Sequence, residues 1–166
     1  MNFRNRVCQT LHDEHFATIA MMERLEQTLT RYRNGLPDVQ DQIVAKLMSD
    51  LALGIEGELT RHFAFEEDEL FSYLSATGDA ALRAHLSEEH AVILSLGRAL
   101  VKLIGTIRAQ GFDAGRWDEF RRLGREFSER LVEHARKEEM GLLPLLDETM
   151  EPEAEVQLYG KYAETA

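Results

Sequence analysis

Helical periodicity, sustained through four long segments and almost never replaced by strand-like alternation, is the feature that most constrains this chain. In the first segment Val7, Leu11, His15, Ile19, Met22, Leu25 and Leu29 recur at spacings of three and four. It is expected to end near Asn34-Gly35, with Pro37 beyond. A second segment runs from about Asp38 to Leu74, with Ile43, Leu47, Leu51, Ile55, Leu59, His62, Glu66 and Leu70 on its inner stripe. Gly54 or Gly57 would bend it. After a tight connection at Thr77-Gly78-Asp79, the third spans roughly Asp79 to Gln110, turning Leu82, Leu86, His90, Ile93, Gly97, Leu100 and Ile104 inward. A turn at Gly111–Gly115 leads to the fourth, from near Arg116, whose inner face is Phe120, Leu123, Phe127, Leu131, His134, Glu138 and Leu142. Pro144 should distort its last turn. A short fifth helix is expected from Pro152 to about Ala163.

Long helices joined by short loops predict an all-α fold, an up-down-up-down antiparallel four-helix bundle with a short C-terminal helical extension. The bundle is assigned to residues 1–148 and the extension to 149–166. A chain of 166 residues suits one domain with one core.

Charge narrows the partners. Thirty acids against 19 bases give a formal charge of −11. Such a surface repels phosphate backbones and anionic bilayers, so neither nucleic acid nor membrane is an expected partner. No leader-like apolar region and no run of about 18 apolar residues is read from the sequence. Cys8 is the single cysteine, which rules out an internal disulfide. The expected location is the cytoplasm.

The chain also repeats itself. Leu11 lies four residues before His15, and Leu86 four before His90. In the second and fourth segments His62 and His134 are each followed four residues later by a glutamate, Glu66 and Glu138. Leu59 and Leu131 precede those histidines by three, and Leu70 and Leu142 follow by eight. Two helical hairpins of one type result, each giving one His from its first helix and a His-x-x-x-Glu pair from its second. Residues four apart on a helix point within about 40° of each other, about 6 Å along the axis. Four imidazoles and two carboxylates in a bundle core are tolerable only if all are satisfied. A pair of divalent metals satisfies them. Mixed imidazole and carboxylate suits iron, zinc, manganese or copper rather than an all-oxygen calcium or magnesium cage. Two iron ions, non-haem and bridged by an oxo or hydroxo group, are the natural occupants. Six protein ligands leave open positions for a small diatomic or a peroxide.

One mismatch stands out. His62 lies about five residues further from its turn than His15 does. A bend at Gly54 or Gly57, or a longer loop around Pro37, would absorb it.

At these residues the sequence resembles the hemerythrin-like family of His-His-Glu cation-binding domains, over roughly residues 5 to 148. The family's order is His, then His-x-x-x-Glu, then His, then His-x-x-x-Glu. Here those are His15, His62 with Glu66, His90, and His134 with Glu138. Marine-worm hemerythrins carry a further histidine four before the third-helix one. Here that position is Leu86, and His85 is about 140° away round the helix. The set is thus similar to the bacterial four-His two-Glu type. The resemblance implies a di-iron protein that binds or reacts with dioxygen, nitric oxide or peroxide. The alternatives it leaves are an enzyme that decomposes peroxide or reduces nitric oxide, and an iron-sensing or iron-sulfur-repair-like domain. The repair proteins carry an additional cysteine-bearing domain not found in these residues. A protein partner is not specified.

The remaining polar residues carry plainer expectations. His12 is expected at the surface or rim, and His85 at the surface. Glu14, Glu67, Glu89 and Glu139 are expected to be solvated or to back a ligand rather than coordinate. Glu58 is either solvated or a partner for the second nitrogen of His62. Cys8 is a plain helix residue, and Met21, Met22 and Trp117 belong to core or rim.

Overall fold

A computed structural model describes residues 2–77 and 80–164, and all five helices among them belong to one bundle and its extension. Helix α1 is Arg6–Arg31. Helix α2 covers 42–77, with wide π-type turns at Gly54–Leu59 and Glu66–Leu70. Helix α3 is Ala80–Gln110. Helix α4 covers 114–149, with a π-type turn at Glu138–Leu142. Helix α5 is Pro152–Glu164. No strand occurs among the described residues. The expected connection at Gly78-Asp79 lies outside them.

The ends follow local chemistry. Asn5 caps α1, accepting from the Val7 and Cys8 amides, and Asp41 caps α2 through Ile43 and Val44. Asp113 caps α4, accepting from the Arg116 amide, so α4 starts at Ala114, two residues earlier than expected. Gly111 ends α3 with φ of 77°, a conformation that favours glycine. Helix α1 stops at Arg31, and ten residues, 32–41, lead to α2. That loop and the wide turn at Gly54–Leu59 together absorb the extra residues before His62, since a π turn takes up more residues per turn than an α turn. Pro144 stands directly after the π turn at Glu138–Leu142, so the helix departs from α geometry just before it and continues as Leu143–Thr149.

The inner stripes pack as expected, with one correction. Ile43 is 60% exposed, and Val44 takes the buried position instead, three before Leu47 and four before Met48 on the stripe that Leu51 continues. Ile19 is half-buried. Helix α3 spans 31 residues. Its stretch Ala81–Gln110 is long and apolar enough to cross a membrane by length and composition, contrary to the sequence reading. In the bundle it buries Leu86, Ile93, Leu100, Ile104 and Ile107, as a core helix does.

The apolar interior is divided in two. One cluster holds Met22, Leu25, Leu51, Ile55, Leu100, Phe120 and Phe127. The other holds Val7, Cys8, Leu11, Leu70, Phe71, Leu86, Leu142 and Leu158, and α5 closes its outer side. Between them lies a layer of buried polar side chains.

Candidate metal centre

That layer contains all six residues singled out from the sequence. His15, His62, His90 and His134 are at most 5% exposed, and Glu66 and Glu138 are fully buried. They form two four-residue groups suited to a metal ion. One is His15, His62, Glu66 and Glu138; the other is Glu66, His90, His134 and Glu138. Within each group the potential ligand atoms lie within 4.8 Å of one another, and both carboxylates belong to both groups. The two π turns that begin at Glu66 and at Glu138 place the widened backbone at these shared carboxylates.

The Nε2 atoms face inward. His62 and His134 each stand 3.3 Å from the glutamate four residues on, in their own helix. His90 Nε2 is 3.3 Å from Glu66, and His15 Nε2 is 3.0 Å from Glu138. The Nδ1 atoms face outward, each onto a carboxylate of a neighbouring helix. His62 Nδ1 donates to Glu14 at 2.7 Å, and His90 Nδ1 to Glu67 at 2.8 Å. His134 Nδ1 donates to Glu89 at 2.9 Å, and His15 Nδ1 to Glu139 at 2.8 Å. The four bonds make a closed circuit: α1 holds α2, α2 holds α3, α3 holds α4, and α4 holds α1. Each outer glutamate is the sequence neighbour of an inward residue, so one turn of helix both faces the centre and supports the next histidine.

This circuit fixes the tautomers. With Nδ1 carrying the proton, each neutral ring turns a bare Nε2 lone pair inward. His90 Nε2 and His134 Nε2 lie 2.9 Å apart, and two lone pairs at that distance need a cation, a proton or a metal, beside them. Both oxygens of Glu66, both of Glu138, and Nε2 of His15 make no hydrogen bond although they are buried. Orphaned buried carboxylates are costly, on the order of several kcal/mol each. The donor set and these orphaned atoms fit metal cations held between the six residues.

The electrostatics agree. Burial raises both inner carboxyls, and Glu66 raises Glu138 further, but the facing imidazoles outweigh this. Glu66 is held well below the usual carboxylate range and Glu138 below it. Burial disfavours a charged His134, yet the negative charges of Glu138 and Glu66 and the bond to Glu89 raise it to about 9. Rings also pack the site: Phe63 and Phe71 both stack nearly parallel to His90, with centroids 3.8 and 5.6 Å away.

Glu58 takes the solvated alternative, His85 lies at the surface as expected, and His12 departs from its expected place. Glu58 is exposed and does not hold His62; Glu14 does, because α1 lies nearer that ring edge. His12 is 6% exposed rather than at the surface, its Nδ1 2.7 Å from Glu139 and its ring covered by Phe3 and Phe16. His85 is exposed and faces Glu89 at 3.3 Å. Cys8 is buried in the second apolar cluster, and burial, with Asp147, pushes its thiol up to about 12. Tyr162 of α5 was not singled out from the sequence. Its hydroxyl donates to Glu14, which also takes Arg61 at 2.7 Å, so the C-terminal helix reaches the support of His62. Its only sequence signal is an aromatic residue on an amphipathic tail.

No curated protein matches the chain. The hemerythrin HHE cation binding domain matches it over residues 6–146, which takes in all six inward residues. This is a metal-binding protein, and the chain belongs to the hemerythrin HHE cation-binding family.

Proposed function

We propose that the protein holds a non-haem di-iron centre and binds or reacts with dioxygen, nitric oxide or peroxide. The observation that carries this reading is the sharing of Glu66 and Glu138 by both four-residue groups. Two carboxylates common to two sites suit a pair of metals bridged by both. His15 and His62 would serve one metal, His90 and His134 the other. Bound there, a pair of ferrous ions supplies two electrons and open positions for a small oxidant.

The chain's own residues do the rest. Glu14, Glu67, Glu89 and Glu139 keep the four rings in the Nδ1–H tautomer and orient them. The two apolar clusters enclose the polar layer on its two sides along the bundle. Leu86, buried one turn before His90, contributes no further nitrogen. The coordination is therefore less complete than in five-histidine relatives, which favours reaction with peroxide or nitric oxide over stable carriage of dioxygen.

Stopped-flow mixing of the ferrous-loaded protein with peroxide, and separately with dioxygen, tests this. Rapid oxidation by peroxide over repeated turnovers supports the reading. Dioxygen taken up and released intact over hours contradicts the reactive part of it.

A further inference from the structure

Between α1 and α2, with α4 as its floor, lies a cavity of about 350 Å³. Small residues clear it: Ala17 on α1, Gly54 on α2 and Ala135 on α4. A Cβ at Gly54 would come within 3.2 Å of the Met21 methyl, so Met21 forms one wall. His15 and His62 from the walls and His134 from the floor also line it.

Volume and charge define what fits. A diatomic or peroxide needs about the space of one water, ~30 Å³. The cavity is roughly tenfold larger and falls within the range of pockets for small organic ligands, about 300–1,000 Å³. The body is apolar, formed by Met21, Leu59, Phe63 and Leu131. The rim carries Asp13 and Glu58, both exposed. Asp13 accepts from the Gln9 amide at 2.8 Å, and among the described residues no cationic side chain pairs with either acid. The rim's one cation, Arg61, is bound to Glu14. Two uncompensated carboxylates, on a chain of charge −11, favour a positive ligand and disfavour an anion.

We propose that this cavity binds a small organic cation, an amine with a compact apolar body, its ammonium group at Asp13 and Glu58 and its body against Met21 and Phe63. The proposal goes beyond the metal-centre reading and does not depend on which oxidant the centre meets.

Titration of the full chain, labelled at its methionine methyls, with benzylamine, benzyl alcohol and benzoate tests it. Benzylamine should bind saturably and shift the Met21 signal, assigned with Met21→Leu, while the exposed Met140 stays still. Benzoate should bind roughly tenfold more weakly or less. Ala17→Phe, at an exposed rim position, should abolish the shift with helicity and metal content unchanged. Asp13→Asn with Glu58→Gln should reduce benzylamine to the affinity of benzyl alcohol. Benzoate binding as tightly as benzylamine, or no Met21 shift with millimolar benzylamine, overturns the proposal. Metal content measured on the same samples separates the two readings: a chain that holds metal but no amine overturns only this one.

Discussion

Glu14 precedes the inward His15 in sequence, yet it accepts the Nδ1–H of His62 on the next helix, at 2.7 Å. The same step repeats round the bundle through Glu67, Glu89 and Glu139. The family motif names six residues; the helices that carry them bring four more, each set by its neighbour's position.

Glu67 offers the cleanest test of that support, because it backs His90 without touching the shared carboxylates. Glu67→Ala removes the acceptor and should weaken metal binding by about 10- to 100-fold, with little loss of helix. Glu67→Gln keeps an acceptor and should lie between. The reference is Glu58→Gln, an exposed glutamate with no ring to hold, which should leave metal affinity unchanged. Competition with a chelator of known affinity reads all three. Equal affinities for wild type and Glu67→Ala would contradict the role.

Chelator-stripped protein should lose stability as the solution becomes alkaline. An unfolded histidine titrates near 6.5, whereas His134 is raised to about 9. A raised histidine stabilises the fold fully below its unfolded pKa, and that contribution is lost as pH rises through the folded value. The window therefore runs from 6.5 to about 9. His62, raised by Glu66 and Glu14 against burial, acts in the same direction. Metals need bare nitrogens, so loading at neutral pH must also expel protons. Thermal melts of the stripped chain across this window, and proton release on metal addition to weakly buffered protein, check the two parts. A melting temperature that rises through the window, or loading with no proton release, would count against them.

Two glycines of α3 should respond in opposite ways. A Cβ on Gly97 would lie 2.9 Å from Ile55 Cγ2 and 3.2 Å from Phe127 Cε2, which is too close without a shift of α2 or α4. Gly97→Val should therefore cost about 1–3 kcal/mol through overpacking. At Gly105 nothing lies within 4 Å, so Gly105→Ala should stabilise by about 0.5–1 kcal/mol, the ordinary helix preference for alanine. Urea denaturation of both variants in the same metal state decides it.

The six inward residues were legible because their spacing survives folding unchanged: His62 and Glu66 share one helix, as do His134 and Glu138, and a helix fixes their direction. The four long helices were legible for the same reason. The π turns at Glu66 and Glu138 were not, since an inserted residue changes no side-chain type and leaves the apolar pattern nearly intact. Nor was the pairing of Glu14 with His62, which depends on how α1 and α2 are rotated against each other. Ile43 and Val44 are adjacent apolar residues, and which is buried depends on whether the stripe of α2 runs through Met48 as well as Leu47 and Leu51, as it does. His12 is covered by Phe3 and Phe16, which lie outside the helical stripe, so the stripe alone points it to the surface or rim.

Elemental analysis tests the proposed seating of two irons on His15, His62, Glu66, His90, His134 and Glu138. The protein is purified from iron-replete cells alongside His134→Ala and His85→Ala, and metal is counted per folded chain. Two irons are expected in the wild type, with a clear loss in His134→Ala and no change in His85→Ala, whose ring is exposed and faces Glu89. One zinc per chain, no metal at all, or full iron in His134→Ala would contradict that seating.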